Sequence, residues 1–192
     1  MCALGKVSSG FIKPLESGAS EYPWYYDNNI PHIVNVTAPD GDDIYKESET
    51  ITVRLEFSET VKLTNPSSLQ LSFVNDLDSS VTGNAQYDSG DGTKFLNFEY
   101  IVQAGDNSSQ LNVKELLLNG SEIKDPAGNS ADIYISSTAL QQNNTVKIDT
   151  LAPSVIDIDT VSPSGYYSVG EAIEIEVKFS EVIKVVGSPE LV

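Results

Sequence analysis

Apolar and polar residues alternate along several short stretches of the chain. The clearest is Ile51-Thr52-Val53-Arg54-Leu55-Glu56-Phe57, in which every second residue is apolar. Because successive side chains of a β-strand point to opposite faces, this period predicts a strand with one buried face. The same period marks further stretches: Leu69/Leu71/Phe73, Leu96/Phe98/Tyr100/Val102, Leu111/Val113, Ile133/Ile135, Val146/Ile148 and Ile173/Ile175/Val177/Phe179. No stretch has a convincing helical period, and only Val113–Leu118 is ambiguous.

Turn sequences separate these stretches. Asp88-Ser89-Gly90-Asp91-Gly92 is a loop that needs positive backbone φ, and Ala104–Asn107 and Asp125–Asn129 are similar turns. About seven short strands separated by such turns, within some 120 residues, are typical of a β-sandwich. The predicted fold class is therefore all-β.

The chain also repeats itself. Tyr45–Leu63 (YKESETITVRLEFSETVKL) and Tyr167–Val185 (YSVGEAIEIEVKFSEVIKV) align without gaps at an offset of 122 residues. The offset superposes the apolar positions of the two strands and places Ser58-Glu59 on Ser180-Glu181. Three further pairs match at the same offset: Pro31 with Pro153, Ile33 with Val155, and Leu69 with Leu191. The pattern indicates one complete repeat of about 120 residues and the first third of another.

The segment Asp149-Thr150-Leu151-Ala152-Pro153 separates the two repeats. Its proline cannot donate a ladder hydrogen bond and stiffens the joint. The predicted organisation is an N-terminal segment over residues 1–30, a complete repeat over 31–149, and the incomplete start of a second over 150–192.

The motifs of the repeat resemble the Ig-like repeats of large bacterial adhesins and surface proteins. They are the strand ending in Phe57-Ser58-Glu59-x-Val61, the turn Tyr87-Asp88-Ser89-Gly90-Asp91-Gly92-Thr93, the run Leu96-x-Phe98-x-Tyr100-x-Val102-x-x-Gly105-Asp106, then Leu116…Leu118-Asn119-Gly120, Ile123-x-Asp125-x-Ala127-Gly128-Asn129 and Asp149-Thr150-x-Ala152-Pro153. The resemblance covers about residues 31–192, and the long turn Asn75–Val81 departs from it. It implies tandem Ig-like β-sandwich modules, one complete and one partial, used in series as a stalk.

Composition excludes several classes of function. The 11 Lys+Arg residues against 28 Asp+Glu give a formal net charge of −17, which repels phosphate backbones and argues against nucleic-acid binding. The single cysteine permits no internal disulfide, and the single histidine, His32, excludes zinc sites that need two imidazoles. Glu59 and Glu181 recur in the repeat, which favours a structural role at a strand end over paired catalytic carboxylates. We therefore expect no enzymatic activity.

The acidic composition suits divalent cations. Ca²⁺ takes six to eight hard oxygen ligands, commonly from Asp, Asn and backbone carbonyls in loops. The candidate ligands flank a tight turn or lie at the boundary between the repeats: Asp125, Asn129, Asp149, Asp157 and Asp159. The resemblance implies calcium at such a junction, whereas Asp125 and Asn129 alone are also explained as residues that cap a turn.

Residues 1–30 do not match the repeat. No secretory signal is present, and Cys2 precedes a stretch rich in Ser and Gly, which suggests the lipidated N-terminus of an exported lipoprotein. The alternative is a stray thiol. Four aromatic residues form a cluster that caps the first module or makes an assembly contact, or that instead stacks on a sugar: Tyr22, Trp24, Tyr25 and Tyr26.

The expected function is a non-enzymatic structural stalk or adhesin segment on the bacterial cell surface, in which neighbouring repeats of the same chain are the first partners. A membrane is expected only through a lipid on Cys2, which would make the protein an outer-membrane lipoprotein. Two alternatives stay open. The chain is a module that binds a glycan, receptor or assembly partner through the aromatic segment, or it is an accessory spacer of a secreted hydrolase.

Overall fold

The computed structural model describes residues 27–190 and divides the chain between Thr150 and Leu151 into two units. The first unit contains β1 (Ile33–Thr37), β2 (Asp43–Tyr45), β3 (Thr50–Thr64), β4 (Gln70–Phe73), β5 (Ser79–Ser80), β6 (Ala85–Ser89), β7 (Thr93–Ile101), β8 (Asn107–Ser108), β9 (Val113–Leu117), β10 (Glu122–Lys124) and β11 (Val146–Asp149); the second contains β12 (Val155–Thr160) and β13 (Ile175–Phe179). The described part is all-β, as predicted, with one 3-10 turn at Pro66–Ser68. It has no helix with the length and apolar character needed to cross a membrane.

The larger sheet of the first unit has seven strands in the order β1-β3-β7-β6-β4-β9, and β10 also pairs with β3. All of its strand pairs are antiparallel. The predicted strand Ile51–Phe57 lies in β3, between β1 and β7. Its apolar residues stand opposite apolar residues of β7, in the pairs Ile51 with Tyr100, Val53 with Phe98 and Leu55 with Leu96.

The smaller sheet has four strands in the order β2-β11-β8-β5. The pairs β11 with β8 and β8 with β5 are antiparallel. The pair β2–β11 is parallel, with Asp43 opposite Val146 and Tyr45 opposite Ile148. The first and last strands of this sheet in chain order are therefore neighbours.

Both sheets contribute to one buried core. From the larger sheet come Phe57 and Phe98, which are fully buried, and from the smaller sheet Val146 and Ile148. Phe73 packs edge-on against Tyr100, with ring centroids 5.1 Å apart. Each large apolar side chain that is buried contributes roughly 1.5–3 kcal/mol, so this core accounts for the stability of a unit without disulfides.

One predicted strand is wrong. The alternation of Ile133 and Ile135 does bury Ile135 in the core, but residues 133–136 form no strand. The segment is held instead by an isolated bridge between His32 and Asp132 and by the Asp132 N–H, which donates to the Pro31 carbonyl at 2.7 Å. A loop that packs one side against a core therefore shows the same period as a strand. The ambiguous stretch Val113–Leu118 contains strand β9.

The predicted turn between β6 and β7 has the expected geometry. Gly90 has φ +116° and Gly92 has φ +78°. A Cβ atom on Gly90 would stand 1.8 Å from the carbonyl oxygen of Phe95, so only glycine fits there. The turn also closes on β3, because the Asp91 carboxylate accepts a hydrogen bond from the Leu63 N–H at 2.8 Å.

The second unit is a two-stranded antiparallel ladder of β12 and β13. Its large apolar side chains are mostly exposed, among them Ile158, Ile173 and Ile175. The corresponding residues of the first unit, Val36, Ile51 and Val53, are buried. The two copies of the repeat thus share a sequence pattern and differ in the burial of its apolar side chains.

Candidate metal centre

Three carboxylates gather at the start of the first unit. Asp27, Glu59 and Asp125 each place one oxygen within 4.8 Å of an oxygen of the other two. Within residues 27–190 this is the one such group of three or more Asp, Glu, His or Cys side chains. The site is therefore built from residues that are 32 and 66 positions apart and meet only through the fold.

Strand pairing brings Glu59 to this place. Glu59 follows Phe57 in β3, where the pairing of β3 with β7 shifts register between Glu56 and Val61. The Ser58 N–H donates to the His32 carbonyl at 2.9 Å, and the His32 N–H donates to the Ser58 hydroxyl at 3.2 Å. This reciprocal pair fastens the segment before β1, which carries Asp27, alongside the residues that carry Glu59.

A turn after β10 holds Asp125. The backbone N–H of Asn129 donates to one oxygen of the Asp125 carboxylate at 2.8 Å, and the Asn129 side-chain amide donates to the other at 2.7 Å. The same amide donates to the backbone carbonyl of Asp27 at 3.0 Å. Asn129 thus joins two of the three acidic residues and is a positioning residue of the cluster.

The electrostatics of the three carboxylates are unequal. Burial alone would raise the pKa of Asp125, but the hydrogen bonds from Asn129 and the neighbouring backbone N–H groups outweigh it and lower that pKa. Desolvation, followed by the negative charges of Asp27 and Asp125, raises the pKa of Glu59, and His32 acts in the opposite direction. The mutual repulsion felt by Glu59 is what a bound cation would relieve.

The donor set defines the kind of cation. Three carboxylates offer only oxygen atoms, the ligands preferred by hard cations such as Ca²⁺ and Mg²⁺. Ca²⁺ accepts a flexible, irregular set of six to eight oxygens, to which carboxylates contribute one or two each. The cluster therefore fits Ca²⁺ with additional backbone or water oxygens.

The structure divides the ligands predicted from sequence. Asp125 and Asn129 lie together, as their turn suggests. Asp149 lies at the other end of the first unit, where it pairs with Asn107 and where the neighbouring Thr150 hydroxyl donates to the Asp106 carbonyl at 2.8 Å. The stretch of β3 between these two ends is roughly 30–35 Å long. Asp125 and Asn129 therefore form a cluster with Asp27 and Glu59, and not with Asp149.

The other two predicted ligands lie in the second unit. In strand β12 the Asp157 carboxylate accepts a hydrogen bond from the Lys178 ammonium at 3.1 Å, and the Asp159 carboxylate accepts one from the Thr160 N–H at 2.8 Å. Neither contact involves another acidic residue. Their part in a calcium site stays a prediction.

Sequence reasoning missed Asp27 and assigned Glu59 only a structural role. The 122-residue offset contains a signal for both, because it places Glu59 on Glu181 and Asp27, which precedes the first repeat, on Asp149. Both acidic positions thus recur. Asp149 was predicted as a ligand from its position between the repeats and not from its match with Asp27.

The predictions for the first 26 residues lie outside the described part of the chain. They concern lipidation of Cys2 and the contact surface of Tyr22, Trp24, Tyr25 and Tyr26. Both stay predictions.

Comparison with known protein families, with curated proteins and with solved structures finds no match for this chain. The functional argument therefore rests on the residues and contacts of the chain itself.

Proposed function

We propose that the chain is a non-enzymatic spacer of a bacterial cell-surface protein, in which Ig-like β-sandwich modules in series hold a distal binding region away from the cell. One observation carries this proposal. The ladder that opens the first unit recurs in the second unit, residue for residue, at the 122-residue offset of the sequence repeat. A structure that is built twice along one chain is characteristic of a repeating scaffold.

The register of the two ladders is the same. In the first unit Ile33 stands opposite Phe57, and in the second unit Val155 stands opposite Phe179. The pairs Val36 with Leu55 and Ile158 with Val177 correspond in the same way. Each ladder has one irregularity, after Ile33 in the first and after Val155 in the second. β-Bulges of this kind are built features of a strand pair, and their recurrence supports equivalent modules.

The hydrogen bonds around the ladders recur too. The reciprocal bonds between Ser58 and His32 have counterparts in the Ser180 N–H, which donates to the Ser154 carbonyl at 2.8 Å, and the Ser154 N–H, which donates to the Ser180 hydroxyl at 3.0 Å. These bonds explain the repeated Phe-Ser-Glu motif, since its serine closes the ladder at the start of each module. The serine of the motif therefore has a structural role in each module.

The turn before the long strand is also duplicated. The Glu49 carboxylate accepts from the Lys46 N–H at 3.0 Å, and the Glu171 carboxylate accepts from the Ser168 N–H. Positive φ occurs at Ser48 and at its counterpart Gly170. Local backbone geometry is therefore conserved between the copies even where the residue type changes.

The topology of the first unit suits a chain under tension. Strands β2 and β11 are parallel neighbours near opposite ends of the unit's sequence. A pull on the two ends of the unit first loads β1, which pairs with β3. Once β1 detaches, the pull drives β2 and β11 in opposite directions along their axes and loads all of their hydrogen bonds at once. The two sheets with their shared core support the β-sandwich architecture within this proposal.

Calcium belongs to the same proposal. The cluster of Asp27, Glu59 and Asp125 lies where the first module begins. A cation at this cluster would bind the incoming segment, which carries Asp27, to the sandwich that follows it. Such a site stiffens a joint by linking its two sides.

The proposal is tested by stretching the first unit between handles at Ile30 and Leu151, both of which are exposed. A spacer module unfolds in one abrupt step that releases roughly 400 Å, the length of about 120 extended residues. Gradual extension at low force, without a step of that size, would contradict a load-bearing role.

A further inference from the structure

A groove of about 230 Å³ lies beside the outer edge of β1 in the first unit. Within the described part of the chain β3 is the one strand that pairs with β1, and the segment 132–143 runs along the other edge. Hydrogen bonds hold this segment against β1 at both ends. At one end the Asp132 N–H donates to the Pro31 carbonyl at 2.7 Å, and at the other the Asn143 side-chain amide donates to the Val36 carbonyl at 2.9 Å. The groove is the gap between these two contacts.

The lining of the groove is uncharged. Ten described residues line it, from β1 and from the segment beside it, and none of them is acidic or basic. The chain as a whole has 20% charged residues and a formal net charge of −17. An ionic group in the groove would lose water without gaining a partner of opposite charge, which is costly. The groove therefore fits an uncharged occupant.

One part of the lining is apolar and unusually exposed. The side chains of Val34 and Tyr134 are 51% and 77% exposed, although both are large enough to be buried in a core. The ring of a tyrosine provides a flat apolar surface, and its hydroxyl provides a polar end. Tyr134 lies where the segment leaves its contact with Pro31, so its ring borders the groove.

The other part of the lining consists of fixed amides. The Asn35 side-chain oxygen accepts hydrogen bonds from the Val36 N–H at 3.1 Å and from the Asn143 amide at 2.9 Å. In the described part of the chain, no protein group bonds to the Asn35 NH₂ group, the Asn143 side-chain oxygen or the Tyr134 hydroxyl. These groups offer a donor, an acceptor and a hydroxyl in fixed positions.

The two parts together define the ligand. An apolar side chain of a protein would cover the free amide groups without bonding to them, which is unfavourable. A neutral pyranose has hydroxyl groups for the amides and a face of C–H groups for the aromatic ring, and it carries no charge. The groove is smaller than the roughly 300–1,000 Å³ of sites for drug-sized ligands, so it holds one ring and not a chain of them.

We propose that the groove beside β1 binds one neutral pyranose unit of a glycan. The Tyr134 ring packs against the C–H face of the sugar, and the Asn35 and Asn143 amides bond to its hydroxyl groups. The site is specific to the first module, because the 122-residue offset places Asp157 on Asn35, and Asp157 forms an ion pair with Lys178 at 3.1 Å. Such binding adds a lateral attachment to the module and does not require it to bear load.

Binding of simple sugars to the full chain tests the proposal. The probes are the methyl glycosides of glucose, galactose, mannose and N-acetylglucosamine, measured by saturation-transfer NMR and titration. At least one should bind with a dissociation constant on the order of 1 mM, the affinity expected for a ligand of about a dozen non-hydrogen atoms. The methyl glycoside of glucuronic acid should bind at least about tenfold more weakly than the best neutral sugar, because its carboxylate finds no cation in the groove.

Two substitutions locate the binding. Asn35→Asp keeps the oxygen that accepts from Val36 and Asn143, removes the free NH₂ group and adds a charge. It should weaken binding at least about tenfold while the melting temperature stays nearly unchanged. Tyr134→Ala should abolish binding, whereas Tyr166→Ala, at a fully exposed tyrosine of the second unit, should leave it intact.

Three results would overturn the sugar site: no binding of any neutral glycoside at about 50 mM, binding that survives both Tyr134→Ala and Asn35→Asp, or glucuronide binding as tight as that of the neutral sugars. A peptide that binds in a Tyr134-dependent manner while every sugar fails would assign the groove to a protein partner instead. The stretching experiment uses no sugar, so the sugar site can fail while the spacer stands, and the spacer can fail while the sugar site stands.

Discussion

At the scale of single residues, the buried carboxylate of Asp106 joins three parts of the first unit. It accepts hydrogen bonds from the N–H and hydroxyl of Thr82, from the Gln103 N–H and from the Tyr100 hydroxyl. Burial alone would raise the pKa of Asp106, but these four donors outweigh it and lower that pKa. The carboxylate is thus held in its charged form where β7 ends.

This network predicts a loss of stability in acid. Because the folded pKa of Asp106 lies below its unfolded value of about 3.9, the stabilisation is complete above that value and is lost as pH falls through the folded pKa. At pH 7, Asp106→Asn should cost roughly 2–4 kcal/mol of unfolding free energy, since an amide cannot accept all four bonds. Urea unfolding between pH 2 and pH 7 measures this. The difference in unfolding free energy between the wild type and Asp106→Asn should become smaller below about pH 4. A difference that does not change with pH would contradict the stabilising role of the charged Asp106 carboxylate. The exposed Asp40→Asn is the control.

Gly90 is a residue whose importance follows from a single close approach. The change Gly90→Ala puts a Cβ atom against the Phe95 carbonyl in a backbone with positive φ, and should cost roughly 2–4 kcal/mol. Gly92→Ala also has positive φ but meets open space, so about 1–2 kcal/mol is expected. Thermal unfolding measures the stability of the two variants. Equal losses of stability in Gly90→Ala and Gly92→Ala would show that the contact with the Phe95 carbonyl adds no cost.

Glu59 carries the prediction for the metal centre. Saturating Ca²⁺, at about 100 times its dissociation constant, should stabilise the wild-type chain by about 2.7 kcal/mol and raise its melting temperature, and EDTA should reverse this. Glu59→Gln removes one ligand and should remove most of the shift. Glu47→Gln has the same change of charge at an exposed position outside the cluster. A calcium-dependent shift that is the same in both variants, or no shift in the wild type, would exclude this site.

Part of the candidate site could be predicted from sequence for a local reason. Asp125 and Asn129 are four residues apart in one turn, so turn chemistry alone brings them together. Asp27 and Glu59 join them through the pairing of β1 with β3 and through long-range hydrogen bonds, which no local pattern encodes. The sequence prediction grouped Asp149 with Asp125 in one calcium site at the boundary between the repeats. In the structure the two residues lie at opposite ends of the first unit, separated by much of the length of β3.

At the scale of elements, the long strands could be predicted and the short ones could not. Every second side chain is buried from Ile51 to Phe57 in β3 and from Leu96 to Tyr100 in β7, so the two-residue period is visible in the sequence. Strands β2, β5, β8 and β10 have two or three residues and show no period; tertiary pairing alone makes them strands. The first unit therefore has eleven described strands where about seven were predicted.

The same element in two settings provides a matched prediction. Ile51→Ala removes a fully buried side chain from β3 and should cost about 2–5 kcal/mol. Ile173→Ala is the same substitution at the corresponding place in the second copy, where the side chain is 53% exposed, and should cost less than about 1 kcal/mol. Urea unfolding followed by circular dichroism measures both. A large loss in Ile173→Ala would mean that the second ladder is covered in solution.

At the scale of the whole molecule, the 122-residue repeat connects the observations. It predicts the register of β12 with β13, the serine contacts that close each ladder, and the recurrence of two acidic positions. All of these features concern how a module starts. The load-bearing spacer that we propose would use them together.

The most direct test of this spacer compares two directions of force on the same folded unit, in a Cys2→Ser background with engineered cysteine handles. Handles at Ile30 and Leu151 first load β1 against β3 and, once β1 detaches, shear β2 against β11. Handles at the paired, exposed residues Gln86 and Glu99 instead separate β6 from β7 one pair at a time. Because thermodynamic stability is nearly the same in both experiments, only the direction of loading differs. The spacer predicts an unfolding force several times higher between Ile30 and Leu151, and an equal or lower force in that direction would contradict it.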